Sequence, residues 1–245
     1  MMKKYLLIVL CLAAFVFGIN KKYIRPQPNT VDLVAYYKLW AGLTSTALVF
    51  DYSLNGNNGT VSNAIATYPG FSFDGTDDSI ACGSGSTIDD IFVGGGTASL
   101  WLLSDGLGEN NVGRAIGKDE WQICMITNTT TMRFQQNFNG DNGLWTFTIT
   151  SGVWQHIAVV YDNDLSANAP VVYVNGVSTS VSEIQAPGAG DTDSSDAANN
   201  FIIGDSSASV TSWDGKIGEV MLYSGTKTAT EIKSLYETTR WRYSK

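Results

Sequence analysis

Short apolar runs separated by Gly, Asn, Asp and Ser occupy most of the chain from Val31 onward. Such runs with turn-forming residues between them are typical of antiparallel β-sandwiches and barrels. One hairpin is explicit, because Asn175 and Gly176 lie between valines and favour a type I′ turn. The pattern predicts strands over Leu33–Leu39, Phe71–Phe73, Ser79–Cys82, Ala98–Leu103, Gln122–Thr127, Met132–Phe138, Trp145–Thr150, His156–Tyr161, Val171–Val174, Phe201–Ile203 and Lys216–Tyr223.

A helical pattern is convincing only near the C-terminus. Thr228 and Glu231 stand at the spacing of a capping box, in which each side chain accepts a hydrogen bond from the other residue's backbone. Ile232, Leu235 and Tyr236 then share one face of the helix that follows. The sequence therefore predicts a short amphipathic helix that begins at Thr228 and ends near Tyr236.

The N-terminus has the layout of a secretory leader, with Lys3 and Lys4 ahead of the apolar run Tyr5–Ile19. Cleavage after Gly18 is the favoured interpretation. The alternative is a retained anchor, although these fifteen residues span about 22 Å as a helix, against about 30 Å for a bilayer core. We predict a signal peptide or signal anchor over residues 1–20, an extended linker over 21–30 and one folded domain over 31–245. The protein is then secreted or on an extracytoplasmic surface, and bound to the membrane if the leader is retained.

The composition narrows the class of protein. Of 245 residues, 25 are Gly and 16% are charged, with 15 basic and 23 acidic side chains and a net charge of −8. Soluble domains average about 25% charged residues and about 7% Gly, so a helical bundle or coiled coil is excluded. Aromatic residues at 11% exclude intrinsic disorder. The acidic balance excludes nucleic acid as a partner, because that affinity depends on Lys and Arg.

Export would place Cys82 and Cys124 in an oxidising compartment, where an even number of cysteines makes a disulfide between them plausible. Both lie in apolar segments, so two buried free thiols is an equal alternative. A single histidine, His156, excludes a His-rich zinc site.

Several weak motifs follow one another in a characteristic order. They are Leu33–Leu39, the loop Asp51–Thr60, Phe73–Asp78, Trp154–Asp162, Val172–Gly176, Ile203–Gly204 and Trp213–Val220. This order resembles that of laminin G-like, concanavalin A-like lectin domains, over roughly residues 31–238. The resemblance implies an all-β jelly-roll sandwich of two antiparallel sheets with a short C-terminal helix. The segment Trp40–Phe50 departs from the family pattern, because it is longer than the usual connection there.

The resemblance also implies a structural Ca²⁺ ion at the sandwich edge, held by the early Asp-Asn-Gly loop and residues near the end of the chain. Carboxylate, amide and carbonyl oxygens are the ligands that Ca²⁺ prefers. The alternative is that these side chains only form turns. The stretch Asp191–Asp196 lacks the Gly and Glu of an EF-hand loop, and we expect it to be a solvated loop. Candidate calcium ligands are Asp51, Asn55 and Asn57 in the first loop, Asp74 with Asp77 and Asp78 in a second, and Asp214 with Glu219 in a third.

The wider superfamily includes glycoside hydrolases and polysaccharide lyases, so the residues must be tested for catalysis. Glycosidases need two carboxylates about 5 to 9 Å apart, and no Glu-x-Asp-x-x-Glu run occurs. His156 falls at the family's Trp-x-His position, where a packed structural role is expected. The chain also has no Gly-x-Ser-x-Gly elbow. We expect no enzymatic activity.

Sugar recognition needs a flat aromatic ring with polar groups at its rim. Trp145 follows the polar loop that contains Asn139 and Asp141 and is the first candidate; Trp121, after an acidic pair, is the second. The alternative for both is a half-buried Trp in an ordinary hairpin. We predict a non-catalytic, exported or surface-displayed lectin-like module that binds a glycan or a cell-surface protein. The alternative function is a structural surface, appendage or virion protein anchored by its N-terminal helix.

Overall fold

A computed structural model describes residues 28–40, 48–163 and 168–243. The predicted leader and most of the predicted linker lie outside these residues. The end of that linker contacts the folded domain, because the Asn29 side chain donates a hydrogen bond to Glu231 at 2.9 Å. Within the described ranges, no helix has the length and apolar character needed to cross a bilayer.

The described residues form seventeen β-strands and one α-helix, α1. The strands are β1 Leu33–Lys38, β2 Leu48–Val49, β3 Gly59–Ser62, β4 Ile65–Thr67, β5 Gly70–Asp74, β6 Ser79–Ala81, β7 Gly96–Ser104, β8 Arg114–Gly117, β9 Trp121–Ile126, β10 Asn128–Gln136, β11 Gly143–Thr148, β12 Gln155–Tyr161, β13 Val171–Val174, β14 Val177–Ser178, β15 Ser182–Gln185, β16 Ile202–Ile203 and β17 Asp214–Tyr223; α1 is Ala229–Thr239.

These strands make two antiparallel sheets packed face to face. The back sheet has the order β14-β13-β12-β7-β17-β5-β4, and β1 also pairs with β17. The front sheet has the order β15-β11-β10-β9-β8-β16-β6-β3-β2. One apolar core fills the space between them and includes Trp121, Phe134, Trp145, Tyr161 and Phe201. The predicted all-β sandwich is confirmed, and its two-sheet arrangement is consistent with a jelly roll.

Every predicted strand segment contains a strand, but the pattern does not predict β2, β3, β4, β8, β14 or β15. Each of these has four residues or fewer. So short a segment has no periodicity of its own to detect. Its strand conformation depends on hydrogen bonds to a neighbouring strand.

The two local predictions with the most specific chemistry are confirmed. Asn175 and Gly176 have φ values of 53° and 75°, the two positive angles that a type I′ turn requires. The N-cap of helix α1 is Thr228, and both hydrogen bonds of its capping box with Glu231 are present.

Helix α1 and the turn after it cover the outer face of the back sheet. Ile232 and Leu235 of the helix pack against a satellite apolar cluster that includes Tyr36 and Met221. In the C-terminal turn, the Tyr243 ring stacks on Trp101 with centroids 4.3 Å apart. We call this covered surface the back face.

Candidate functional site

The outer surface of the front sheet carries a row of polar side chains on adjacent strands. Cross-strand pairs join Arg114 of β8 to Cys124 of β9, Cys124 to Arg133 of β10, and Arg133 to Thr146 of β11. Side chains alternate between the two faces of a strand, and the neighbours of these residues, such as Ile123, point into the core. We call this surface the front face; its members are Arg114, Gln122, Cys124, Arg133, Gln135 and Thr146.

The two arginines of the front face differ in their partners. Arg114 Nη1 lies 3.1 Å from Asp119 Oδ1, whereas Arg133 has no carboxylate partner among the described residues. The Nε atoms of both are inaccessible to solvent and lack hydrogen-bond partners in the described part of the chain. Arg133 as a whole is partly exposed, so part of the residue is in contact with solvent.

The rest of the front face surrounds the arginines with amide groups and a thiol. Gln122 Nε2 donates to Gln135 Oε1 at 2.9 Å, and Gln135 Nε2 donates to Asn137 Oδ1 at 2.7 Å. Burial raises the pKa of the Cys124 thiol, and the nearby charges of Arg133 and Arg114 act in the opposite direction. The surface therefore offers hydrogen-bond donors and positive charge, the chemistry that suits hydroxyl, carboxylate and sulfate oxygens.

The sequence-based prediction of a sugar platform at Trp145 and Trp121 is wrong. Their side chains are 0% and 1% exposed, so neither ring can lie against a sugar. Both belong to the core: Trp145 packs on Phe134 with centroids 6.0 Å apart, and Trp121 packs on Phe92 at 5.0 Å. An aromatic beside a polar loop in sequence can still point between the sheets, because alternate residues of a strand face opposite sides.

Asn139 and Asp141 are exposed but lie apart from the front face, in the connection between β10 and β11. Asn139 exchanges hydrogen bonds with the backbone of Thr192, at 2.9 Å and 3.0 Å. The Asp141 amide donates to Asp191 Oδ2 at 2.8 Å. These contacts join two loops, and the buried Trp145 ring is not part of their surface.

The early Asp-Asn-Gly loop uses its oxygens within the fold. Asp51 Oδ1 accepts hydrogen bonds from the amides of Tyr36 and Ser53, and Oδ2 accepts from the amide of Asn57. The side-chain amides of Asn55 and Asn57 both donate to the Val34 carbonyl, at 3.0 Å and 3.3 Å. This geometry fits the turn-forming alternative, in which the side chains replace backbone partners.

The second candidate loop brings carboxylates together. Ligand atoms of Asp74, Asp77 and Asp78 all lie within 4.8 Å of one another. Asp214 pairs with Asp74 across β17 and β5. Burial raises the pKa of Asp78, and the charges of Asp74 and Asp77 raise it further. Burial also raises the pKa of Asp214, to which the charges of Asp105 and Asp74 add. This acidic cluster could hold a metal ion.

Grouping Asp214 with Glu219 as calcium ligands is wrong, because Glu219 is fully buried under the C-terminal turn. Its Oε2 accepts a hydrogen bond from Arg242 Nη1 at 2.6 Å, and its Oε1 accepts one from the Tyr36 hydroxyl. Burial raises the pKa of Glu219, and the Arg242 charge is the main influence in the opposite direction.

Cys82 and Cys124 are both buried free thiols, so the disulfide prediction is wrong and its alternative is correct. Cys82 faces the core and Cys124 lies on the front face. Cys82 directly follows β6, and strands β16 and β8 separate β6 from β9. Three strand spacings amount to about 14 Å, twice the largest Cα separation that a disulfide spans.

His156 is buried on the back face and not at a solvent-exposed site. Its Nε2 lies 2.9 Å from Ser99 Oγ, and its ring lies beside Trp101 with centroids 5.5 Å apart. Burial lowers the pKa of His156 to about 3, so the imidazole is neutral near pH 7. This packing agrees with the structural role expected from its Trp-x-His position.

Two packed antiparallel sheets with a short C-terminal helix define a lectin-like β-sandwich. A laminin G-type family model, described as the concanavalin A-like lectin/glucanases superfamily, matches residues 74–233, more than half of the chain. The chain therefore belongs to this superfamily. Among curated proteins, no relative matches it.

Solved structures with the same fold include toxin domains and a sialidase. The receptor-binding domain of botulinum neurotoxin C/D mosaic serotype aligns with a TM-score of 0.58 and 11% identity, over 85% of this chain and 51% of that one. The botulinum neurotoxin serotype D ligand-binding domain, in complex with N-acetylneuraminic acid, aligns with 0.59 and 12%, over 86% and 52%. Trypanosoma rangeli sialidase aligns with 0.59 and 14%, over 84% and 33%. This chain thus spans about half of each toxin domain, and identities this low show the fold alone.

Proposed function

We propose that this protein is a non-catalytic, exported or surface-displayed lectin-like module that binds carbohydrate through its front face. The observation that carries the proposal is a row of Arg, Gln and Thr side chains on four adjacent strands, partly exposed on β10 and β11 and buried on β8 and β9. Flat arrays of amide and guanidinium donors pair with the closely spaced hydroxyls of a saccharide. The neurotoxin domain solved with N-acetylneuraminic acid supports a glycan partner for a sandwich of this shape.

The residue types on the front face support the proposed lack of catalytic activity. Strands β8, β9, β10 and β11 contain no Asp or Glu, so the front face lacks the two carboxylates that glycoside hydrolysis needs. His156 lies on the opposite sheet and is buried. The relationship to a sialidase therefore does not extend to a recognisable pair of catalytic acids on this surface.

The second part of the proposal is that the acidic cluster binds a Ca²⁺ ion with a structural role. Asp74, Asp77 and Asp78 fit this ion, because Ca²⁺ binds several carboxylate oxygens, and its charge would oppose the burial and the neighbouring carboxylates that raise the pKa of Asp78. Calorimetric titration of the full chain with CaCl₂ tests this. Asp77→Asn should weaken binding at least about tenfold, and the exposed control Asp141→Asn should not. Equal binding by both variants would rule out the cluster.

A glycan array probed with the full chain, with CaCl₂ and with chelator, tests the main proposal. We expect binding to a subset of saccharides that Gln135→Ala weakens and Lys233→Ala, exposed on helix α1 at the opposite sheet, leaves unchanged. The absence of binding under both conditions would contradict the lectin function. Light scattering that shows ordered self-association would then favour the structural alternative.

A further inference from the structure

We propose that the front face selects acidic saccharides and that Arg114 and Arg133 bind the carboxylate or sulfate group. This inference depends on the proposed function, because it specifies the class of glycan bound at the same surface. It adds the chemical property by which the site would choose among glycans.

The first argument is the position of the two arginines. Arg114 and Arg133 flank Cys124 on three adjacent antiparallel strands, with both side chains on the outer side of the sheet. Their Cα atoms are two strand spacings apart, about 10 Å. Asp119 already offsets the charge of Arg114, so the charge of Arg133 is the uncompensated one, and an anion beside it is favoured electrostatically.

The second argument is that Arg133 has no internal counterion in the described part of the chain, although the chain has more acidic than basic residues. The net charge is −8, yet Arg133 has no carboxylate partner among the described residues. Arg114, in contrast, is only 9% exposed, and its Nη1 pairs with Asp119 at 3.1 Å. The partly exposed Arg133 is therefore the front-face charge without a counterion in the described structure, and an external anion would supply one.

The third argument concerns the type of residue. A guanidinium group presents its N–H donors in a plane and pairs with a carboxylate or sulfate through two parallel hydrogen bonds. The neighbouring amides of Gln122 and Gln135 can pair with the hydroxyl groups of the same sugar. The combination suits a ring that carries both an anion and hydroxyls better than a neutral sugar or a free anion.

The test measures the affinity of the full chain for immobilised sialyllactose, polygalacturonate fragments and heparin fragments, with lactose and other neutral oligosaccharides alongside. The first two probes carry carboxylates and heparin also carries sulfates, so their order identifies the anion. Variants Arg133→Met and Arg114→Met remove the charge and keep an apolar stem. Arg240→Met removes the same charge from an exposed pair in the C-terminal turn and is the matched control.

We expect the acidic probes to bind more tightly than neutral ones, and Arg133→Met to weaken them about ten- to a hundredfold. Arg133→Lys should recover part of the loss.

Unfolding curves of each variant verify that it is folded, and the two arginines are tested independently. Equal losses in Arg133→Met and Arg240→Met, or no loss in either front-face variant, would overturn the assignment. Neutral glycans bound as well as acidic ones would overturn the acidic preference and leave the lectin function standing, whereas binding of no glycan would overturn both.

Discussion

The front and back faces of the sandwich carry similar polar groups but differ in how those groups are paired. On the back face, Arg242 of the C-terminal turn pairs with the buried Glu219 beneath it at 2.6 Å. On the front face, Arg133 is partly exposed and has no carboxylate partner in the described structure. The guanidinium group of Arg242 is therefore paired within the fold, whereas that of Arg133 has no counterion among the described residues.

The physical cause of the difference is burial. A charge removed from water must be paired inside the protein or become neutral, because desolvation costs several kcal/mol. Glu219 follows the first course and His156 the second. A partly exposed arginine is solvated by water, so the front face can keep an unpaired charge at little cost to stability.

The largest effect should come from Arg242→Leu, which leaves Glu219 buried without its cation. We expect the free energy of unfolding to fall by about 3 to 5 kcal/mol in urea titrations. Arg240→Leu is the control, because its ion pair with Glu237 is about half exposed and its loss should cost less than about 1 kcal/mol. Similar losses in the two variants would show that the buried pair of Arg242 and Glu219 contributes no more to stability than the exposed pair of Arg240 and Glu237.

His156 should make stability depend on pH. Its pKa is lowered to about 3 when folded and is about 6.5 when unfolded, so the unfolded chain binds the proton more readily between these values. Stability from this group is complete above pH 6.5 and is lost as the pH falls towards 3. Between pH 7 and pH 4.5, wild type should lose about 2 to 3 kcal/mol more than His156→Gln.

The buried acids whose pKa is raised have the opposite slope, but they are present in both proteins and cancel in this comparison. Parallel pH profiles of wild type and His156→Gln would contradict the burial of a neutral imidazole. The acids with a raised pKa are Asp78, Asp193, Asp196, Asp214 and Glu219.

Thr228→Ala should destabilise the helix that covers the back face. The change removes one capping hydrogen bond, and we expect a loss of about 1 kcal/mol, seen as a decrease of about 2 to 4 °C in Tm. Thr230→Ala, inside the same exposed first turn, removes a β-branched residue without removing the cap and should not destabilise. A larger loss in Thr230→Ala than in Thr228→Ala would be inconsistent with the capping box.

Arg133→Met should have the smallest effect on stability, within about 0.5 kcal/mol, because the side chain has no internal ion pair to lose. Urea titration beside Arg242→Leu compares the two faces directly. A loss above about 2 kcal/mol would mean that Arg133 supports the fold, and the contrast between the faces would fail.

Much of the fold could be predicted from local patterns. The hairpin at Asn175 and the capping box at Thr228 depend on a few adjacent residues, so the sequence contains all their chemistry. The six strands that were missed have four residues or fewer, too few to show a periodicity, and they form only by pairing with another strand. Strand β15, for example, pairs with β11 and not with its neighbour in the chain, β14.

The site could be predicted less well than the fold. Alternation assigns Trp145 and Phe147 to one side of β11, but only the packed second sheet shows that this side is the interior. The same limit explains why the arginines were missed. Arg133 stands between Met132 and Phe134. A charged residue between two apolar ones in a strand is the sequence feature that could have identified it as a site residue. Its relation to Arg114, nineteen residues away, depends on the register of three strands.

The sequence by itself determined the class of this protein: an all-β sandwich with Gly- and Asn-rich turns and a short capped helix, in the concanavalin A-like superfamily. These properties follow from composition, periodicity and short motifs, which act over a few residues. Only the tertiary structure decided which aromatic rings are buried, that Cys82 and Cys124 remain apart, and which arginine has a partner. Those outcomes depend on strand order and sheet packing, because contacts between distant segments decide which face of each strand meets water.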